Sequence, residues 1–253
     1  MITVPRRPPK NDIADEKEFT EMTNTTRRKF LSLVTVALAG GSIAGCSIVG
    51  GAGEALSDSE SSETVPPLDK ARTLVAYFSV PETDDPNNMT DDEESSTHVV
   101  DGKVLGNTQH VAQIIGGSTG AQVFRIETAE ELPLDHKTLS DLALKQQEEN
   151  ARPKLKSLIP NLEEYDTVFI GYPIWWYGLP MPVYTFLEQH DFSKKNIILF
   201  TTHGGSRLSG TVEIVTEKLA DSTVISNAFT ISRDDMDSAE AEVGDWLDSL
   251  GVS

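Results

Sequence analysis

Cysteine is almost absent from this chain. Its 253 residues include one, Cys46, so no disulfide can form within the chain, and a metal site built on thiolates is not expected. The five histidines, His98, His110, His136, His190 and His203, are scattered without metal-ligand spacing, and no metal is expected. No Gly-Lys-Ser/Thr signature occurs, which sets aside a triphosphate cradle of the P-loop kind. Basic charge is also scarce: 21 Lys and Arg stand against 40 Asp and Glu, a net charge of −19. Residues 1–45 hold seven basic and five acidic side chains, so the negative excess lies entirely in the rest. Such a surface argues against nucleic acid and against lying flat on anionic lipid; it favours solubility and would attract a basic partner. Internal repeats are missing. The apolar stretch Leu33 to Ala44 is too short and Gly-rich for a good spanning helix.

That stretch has another use. Thr26-Arg-Arg-Lys-Phe-Leu31 reads as a twin-arginine pattern, and Ile43-Ala-Gly-Cys46 reads as a lipobox. Residues 1–45 are therefore expected to be a signal region, with an uncut membrane anchor as the plainer alternative. Cys46 is the expected site of lipid attachment, holding the protein to the membrane outside the cytoplasm. Translation from Met22 instead of Met1 would give the signal a normal short basic lead. Residues 46–71, rich in Gly, Ser, Glu and Pro, read as a flexible tether. Residues 72–253 are long enough for one well-filled core.

In that part strand and helix patterns alternate, which predicts a three-layer, doubly wound α/β domain with a parallel sheet covered on both faces. Strands are expected at Thr73 to Phe78, Gln122 to Ile126, Val168 to Ile170, Ile197 to Phe200 and Val224 to Phe229. Helices are expected at Asn107 to Ile115, Leu139 to Asn150, Met181 to Glu188, Gly210 to Leu219 and Ser238 to Leu250, the last capped by Asp237 or Ser238. Residues 80–105 break the rhythm as a long acidic loop, of the kind that is functional or mobile.

Three strand ends carry unusual loops. Ser79 closes the first strand; Gly171, Tyr172, Pro173, Ile174, Trp175, Trp176, Tyr177 and Gly178 follow the third; Thr202, His203, Gly204 and Gly205 follow the fourth. Glycine, proline and three exposed rings suit a flat ligand at the carboxyl edge of a sheet better than a core. Gly106, Asn107 and Thr108 open an amphipathic helix, where free amides and the helix dipole attract a phosphate. No Lys or Arg is nearby in sequence, so neutral donors would hold a monophosphate. A simple helix cap by Asn107 or Thr108 is the alternative.

Val-Ala-Tyr-Phe-Ser79, Gly-Asn-Thr108 at a helix start and Gly-Tyr-Pro-Ile-Trp-Trp176 after a strand resemble the flavodoxin-like family, as does Ala151-Arg-Pro153 ahead of Tyr165-Asp166. The resemblance covers nearly all of residues 72–253. It implies five parallel strands in the order 2-1-3-4-5 and FMN at the switch point. Family members join the Ser/Thr and Gly-Asn-Thr elements in one short loop, whereas here residues 80–105 intervene. The resemblance implies that Ser79, Gly106, Asn107 and Thr108 meet the phosphate. It also implies that Pro173, Ile174, Trp175, Trp176, Tyr177 and Gly178 lie at the ring. There Trp176 or Tyr177 would stack while Trp175 is partly structural. Thr202, His203, Gly204 and Gly205 would border the pyrimidine edge, with His203 either donating to the reduced ring or only shaping its turn. Trp246 reads as plain core.

No catalytic acid or base stands out. The leading expectation is an FMN-binding electron-transfer protein, tethered outside the cytoplasm, with an unidentified redox partner or small-molecule acceptor. Twin-arginine export, which carries folded proteins, suits a cofactor loaded beforehand. The alternatives are an FMN-dependent NAD(P)H or quinone oxidoreductase, with residues 80–105 as its lid, and a flavin-free binding module.

Overall fold

Thr73–Phe78, an unbroken run of large apolar and β-branched residues, forms β1, and all six residues are buried. Side chains alternate across a strand, so each face of β1 needs its own cover. Val75 and Tyr77 enter one core with Phe169, Ile198 and Phe200. Leu74, Ala76 and Phe78 enter another with Val168, Ile170, Tyr172, Ile197 and Leu199. A sheet apolar on both faces is the mark of a doubly wound fold. The computed structural model describes residues 67–252. The twin-arginine pattern, the lipobox, Cys46 and most of the proposed tether lie outside them. Within them no helix is long and apolar enough to cross a membrane.

After β1 come α1 (Asp91–Ser96), β2 (Thr97–Val100), β3 (Lys103–Gly106), α2 (Asn107–Thr119), β4 (Gln122–Ile126), α3 (His136–Glu148) and β5 (Thr167–Pro173). Then follow α4 (Met181–Gln189), β6 (Asn196–His203), α5 (Thr211–Lys218), β7 (Thr223–Ser232) and α6 (Ala239–Ser249). The main sheet runs β4-β1-β5-β6-β7, and every pairing in it is parallel. Counting only those five strands, the order is 2-1-3-4-5. Val111, Ala112 and Ile115 of α2 and Val243, Trp246 and Leu247 of α6 cover one face. Val183, Phe186 and Leu187 of α4 and Val215 of α5 cover the other. Trp246 is core: it packs edge-on to Phe169 and donates from Nε1 to the Asn227 carbonyl oxygen.

Several boundaries differ from those read in the sequence. β7 runs on to Ser232, because a register shift against β6 between Ile198 and Phe200 absorbs extra residues and lets pairing resume at Phe229. Helix α6 does start after Ser238, yet the Ser238 hydroxyl does not cap it. That hydroxyl donates to the Asp235 carbonyl oxygen of the preceding 3₁₀ turn instead. At the other end, Leu68 packs against the core and Lys70–Arg72 forms a 3₁₀ turn capped by Asp69.

The largest difference concerns residues 80–105, expected as a loop. They hold α1, closed by a capping box of Thr90 and Glu93, and the antiparallel hairpin β2–β3. Asp101 and Gly102 both sit at positive φ, 50° and 74°, between the paired Val100 and Lys103. An Asp-Gly pair of that kind builds the two-residue turn whose twist matches a hairpin. The excursion returns to its starting point: a methyl group on Gly106 would collide with the Ser79 hydroxyl. The insertion therefore bulges outward and leaves both ends together.

Gly171, expected in the loop after the third strand as a residue that lets the chain turn, belongs to the strand itself. It lies inside β5 and makes no turn; a Cβ there would collide with the edge of the Phe200 ring. The Ala151-Arg-Pro153 segment is structural as well. Arg152 grips Glu188 of α4 through Nε (2.6 Å) and Nη2 (2.9 Å), and Lys218 reaches the same carboxylate at 2.8 Å. Both cations lie over the Tyr184 ring, and together they push the Glu188 carboxyl down to about 2.

Candidate functional site

Parallel strands that all end at one edge leave a crevice where neighbouring connections diverge to opposite faces. Here the ends of β1, β5, β6 and β7 and the start of α2 surround a cleft of about 570 Å³. Ser79, Asn107, Thr108, Pro173, Ile174, Trp175, Trp176, Tyr177, Thr202, His203, Gly204 and Gly205 line it. Of the fourteen residues singled out in the sequence, Gly106 and Gly178 do not. Gly106 is packed against Ser79, and Gly178 closes the turn that carries the aromatic rings.

The start of α2 is not capped by either expected side chain. Its N-cap is Gly106, which has none; Gln109 Oε1 accepts from the Gly106 amide at 3.4 Å. Asn107 turns away and donates from Nδ2 to the Ser95 carbonyl oxygen (3.0 Å), while Thr108 Oγ1 bonds Thr202 Oγ1 (2.7 Å). Side-chain capping is thus replaced by links to the insertion and to β6, and the helix start keeps its attraction for an anion. Among the described residues, Asn107 Oδ1 is the one buried side-chain oxygen or nitrogen without a hydrogen-bond partner. A buried acceptor in that state calls for a donor from elsewhere.

The aromatic loop is a tight hairpin. Trp175 N donates to the Gly178 carbonyl oxygen (3.1 Å), and Gly178 N donates back to Trp175 (2.9 Å). The two central residues are Trp176 and Tyr177, at φ 46° and 59°. Left-handed backbone at bulky residues costs roughly 1–3 kcal/mol each and persists only where surroundings enforce it. Three hydrogen bonds do so: Gln147 Nε2 to the Trp176 carbonyl oxygen (3.3 Å), Trp176 Nε1 to the Ser140 carbonyl oxygen (2.9 Å) and Ser209 Oγ to the Tyr177 carbonyl oxygen (2.9 Å). Trp175 packs edge-on to Phe78 with ring centroids 5.3 Å apart, a structural contact. Trp176 and Tyr177 are 42% and 61% exposed, which leaves ring surface open at the rim.

His203 shapes its own loop, since its Nδ1 accepts from the Gly205 amide at 2.9 Å. Burial, and then Arg207, push its pKa down. In the neutral ring the proton therefore sits on Nε2, and the turn-forming and donating roles are compatible.

The sequence reading missed a cation. Arg233, at the end of β7, lines the cleft and is the only Lys or Arg to do so among the described residues. Its guanidinium lies 3.2 Å from where a Gly204 Cβ would be. Arg125 Nη2 also donates to the Ser79 carbonyl oxygen at 3.2 Å. The topology thus brings to the cleft, beside Gly204, a charge that is remote in sequence. Also missed were Asp92 and Ser95 of α1, Ser140 of α3, and Glu82 beside His136.

These features define an open α/β fold with a nucleotide-type crevice at its switch point. The flavodoxin family profile matches residues 99–249, and the chain belongs to that family. A protein from Bacteroides eggerthii, provisionally assigned as a flavoprotein, is 26% identical, with 72% of this chain and 99% of that one covered and a TM-score of 0.53. A counterpart from Bacteroides uniformis, provisionally assigned likewise, is 23% identical over 70% of this chain and 99% of that one, TM-score 0.50. A Lactobacillus acidophilus flavoprotein solved in complex with FMN is 23% identical over 70% and 98%, TM-score 0.48. No curated protein matches.

FMN is the cofactor of the flavodoxin family, and the residues present fit it. The cleft offers an uncapped helix start for a phosphate, an orphan acceptor in Asn107 for a ligand hydroxyl, and open aromatic surface for a flat ring. Among the described residues, no cluster of His, Cys, Asp or Glu is arranged to hold a metal.

Proposed function

We propose that the protein holds FMN in this cleft and passes electrons between a donor and an acceptor outside the cytoplasm. The observation that carries the reading is the convergence on one cleft of the uncapped start of α2, with its orphan Asn107 oxygen, and the strained Trp176–Tyr177 hairpin. Bound FMN supplies chemistry that no side chain here has, the exchange of one or two electrons. The chain's residues bind, orient and shield. Ser79 and the free backbone amides at the start of α2, at Asn107 and Thr108, would hold the phosphate end, with Asn107 Oδ1 accepting from a ligand hydroxyl; Trp176 or Tyr177 would stack on the ring; Thr202, His203, Gly204 and Gly205 would border its polar edge. Stacking adds ~0.5–1.5 kcal/mol per aromatic pair beyond burial.

The test is an absorption spectrum of the purified protein before and after heat release of its chromophore. A yellow protein that releases FMN supports the reading. A folded, colourless protein that ignores added FMN overturns it and leaves a flavin-free binding module. Lipid attachment at Cys46 belongs to the same proposal, supported by the twin-arginine pattern and the lipobox. Labelling with a radioactive fatty acid checks it, and an unlabelled full-length protein would refute it.

One observation favours a second reading, an FMN-dependent oxidoreductase with its own substrate. The cleft wall carries an acid–base pair, Glu82 and His136, which pure electron exchange does not need.

A further inference from the structure

Glu82 lies in the insertion just beyond β1, and His136 is the first residue of α3. Their side chains meet on the wall of the cleft, with His136 Nδ1 2.9 Å from Glu82 Oε2. The carboxylate side chain is 8% exposed, whereas the imidazole is 45% exposed. A buried acid thus touches a group that reaches water. Asp92 and Glu93 of α1 and His136 of α3 are the charged and titratable groups facing Glu82; Asp135 faces His136. Burial, above all, pushes the Glu82 carboxyl up, and the two acids of α1 act in the same direction while His136 opposes them. Among the described residues the Glu82 carboxylate has no other hydrogen-bond partner than His136, so its burial has little return in the fold.

The neighbourhood indicates what the pair could serve. Val80, Leu139 and Ala143 line the same cleft, and Trp176 is tied to Ser140 one residue beyond Leu139. The pair therefore borders a compartment with one apolar wall under an aromatic rim, which Asp92, Ser95 and Ser140 also line. A flat apolar molecule with a carbonyl oxygen fits such a compartment. A nicotinamide dinucleotide does not, because its phosphates would find one cation, Arg233, opposed by Asp92 and Glu82.

We propose that Glu82 and His136 form a proton-exchange pair at which a quinone-class acceptor takes up protons as it is reduced in the cleft. This rests on the reading of the protein as an FMN carrier, the reduced flavin being the reductant. A quinone gains two electrons and two protons: each C=O π bond breaks and each oxygen forms an O–H bond, while the reduced flavin would supply the same two electrons and release its own N–H protons to solvent. The pair hands a proton to the nearer oxygen and is reprotonated from solvent through the exposed His136. The second proton arrives from solvent. General acid catalysis of this kind typically contributes 10²–10⁴-fold.

The experiment uses the full-length, flavin-loaded protein, photoreduced and mixed with either menadione or hexaammineruthenium(III), a one-electron acceptor that takes up no proton. The quantity read is the ratio of the two oxidation rates. In Glu82→Gln and His136→Gln the ratio falls about 100-fold, and Glu82→Asp, which keeps a carboxyl, recovers part of it. In the flavin-free protein the Glu82 carboxyl titrates above the ordinary glutamate range because it is buried, and it moves further up in His136→Gln, where the opposing imidazole is gone. Ratios equal to wild type in both Gln variants, or a Glu82 titration indifferent to His136, overturn the proposal. A protein that binds no FMN overturns the electron-transfer reading itself, and the absorption spectrum recorded before mixing separates that failure from this one.

Discussion

Thr108 Oγ1 and Thr202 Oγ1 lie 2.7 Å apart in a buried hydrogen bond that joins the first turn of α2 to the carboxyl end of β6. The two residues are 94 positions apart in the chain. The bond fixes the proposed phosphate end of the cleft relative to the loop at its polar edge. Replacing Thr202 with Val keeps the shape but strands the Thr108 hydroxyl, which costs about 1–3 kcal/mol. Removing both hydroxyls together with Val recovers part of that loss, because no buried group is then left unpaired. Urea unfolding of the flavin-free wild type, both single variants and the double variant measures the coupling.

Gly171→Ala tests the packing role of that glycine. The added methyl meets the Phe200 ring in the centre of the sheet, and overpacking of this kind costs about 1–3 kcal/mol. Shrinking the ring with Phe200→Leu in the same protein relieves the collision, so the double variant is less destabilised than the sum of the two single changes. Thermal unfolding of the four proteins decides it; additive effects would show that the ring moves aside freely.

Tyr177→Gly separates stability from binding. Glycine accepts the φ of 59° without penalty, which stabilises the fold by about 1 kcal/mol. Loss of the ring weakens FMN binding if Tyr177 stacks, while the same change leaves affinity untouched if Trp176 alone does so. Denaturant unfolding and a flavin titration on one sample read both quantities.

His190 makes stability depend on pH. Its Nε2 accepts from the Ile159 amide (2.9 Å) and its Nδ1 donates to the Phe186 carbonyl oxygen (2.8 Å), an arrangement available only to the neutral ring. Burial lowers its pKa in the folded state. The unfolded chain, with its histidine pKa near ~6.5, therefore binds the extra proton first. The stabilisation is complete above that pH and is lost as pH falls below it toward the lower folded value. His110 and His203 shift in the same direction. Melting temperature should thus fall between about pH 7.5 and 5, with a shallower slope in His190→Gln. An unchanged slope in that variant would remove His190 from the account.

Much of the architecture was legible because periodicity reports burial. The short apolar runs at Thr73–Phe78 and Ile197–Phe200, bounded by polar and turn-forming residues, read as strands covered on both sides, and such strands imply helices on both faces. The site was legible where chemistry is local: Gly106 to Thr108, Trp175 to Tyr177 and Thr202 to Gly205 announce themselves as loops at strand ends. The hairpin in the insertion was legible but overlooked. Asp101-Gly102 between Val99-Val100 and Val104-Leu105 carries its own turn signal, which the surrounding acidic residues masked. Gly171 was misassigned because a glycine that admits a neighbour's ring and a glycine that turns the chain look alike in one dimension.

By itself the chain's order of residues determined the fold class, the strand ends that face the cleft and the scarcity of positive charge, since each of these follows from local pattern or plain composition. Only the tertiary structure decided that Arg233 reaches the cleft, that Asn107 and Thr108 spend their side chains on Ser95 and Thr202 instead of on a helix cap, and that Glu82 meets His136. The reason is physical: a hydrogen bond or a buried charge depends on distances of a few ångströms, and those are set by how strands far apart in sequence are laid side by side in the sheet.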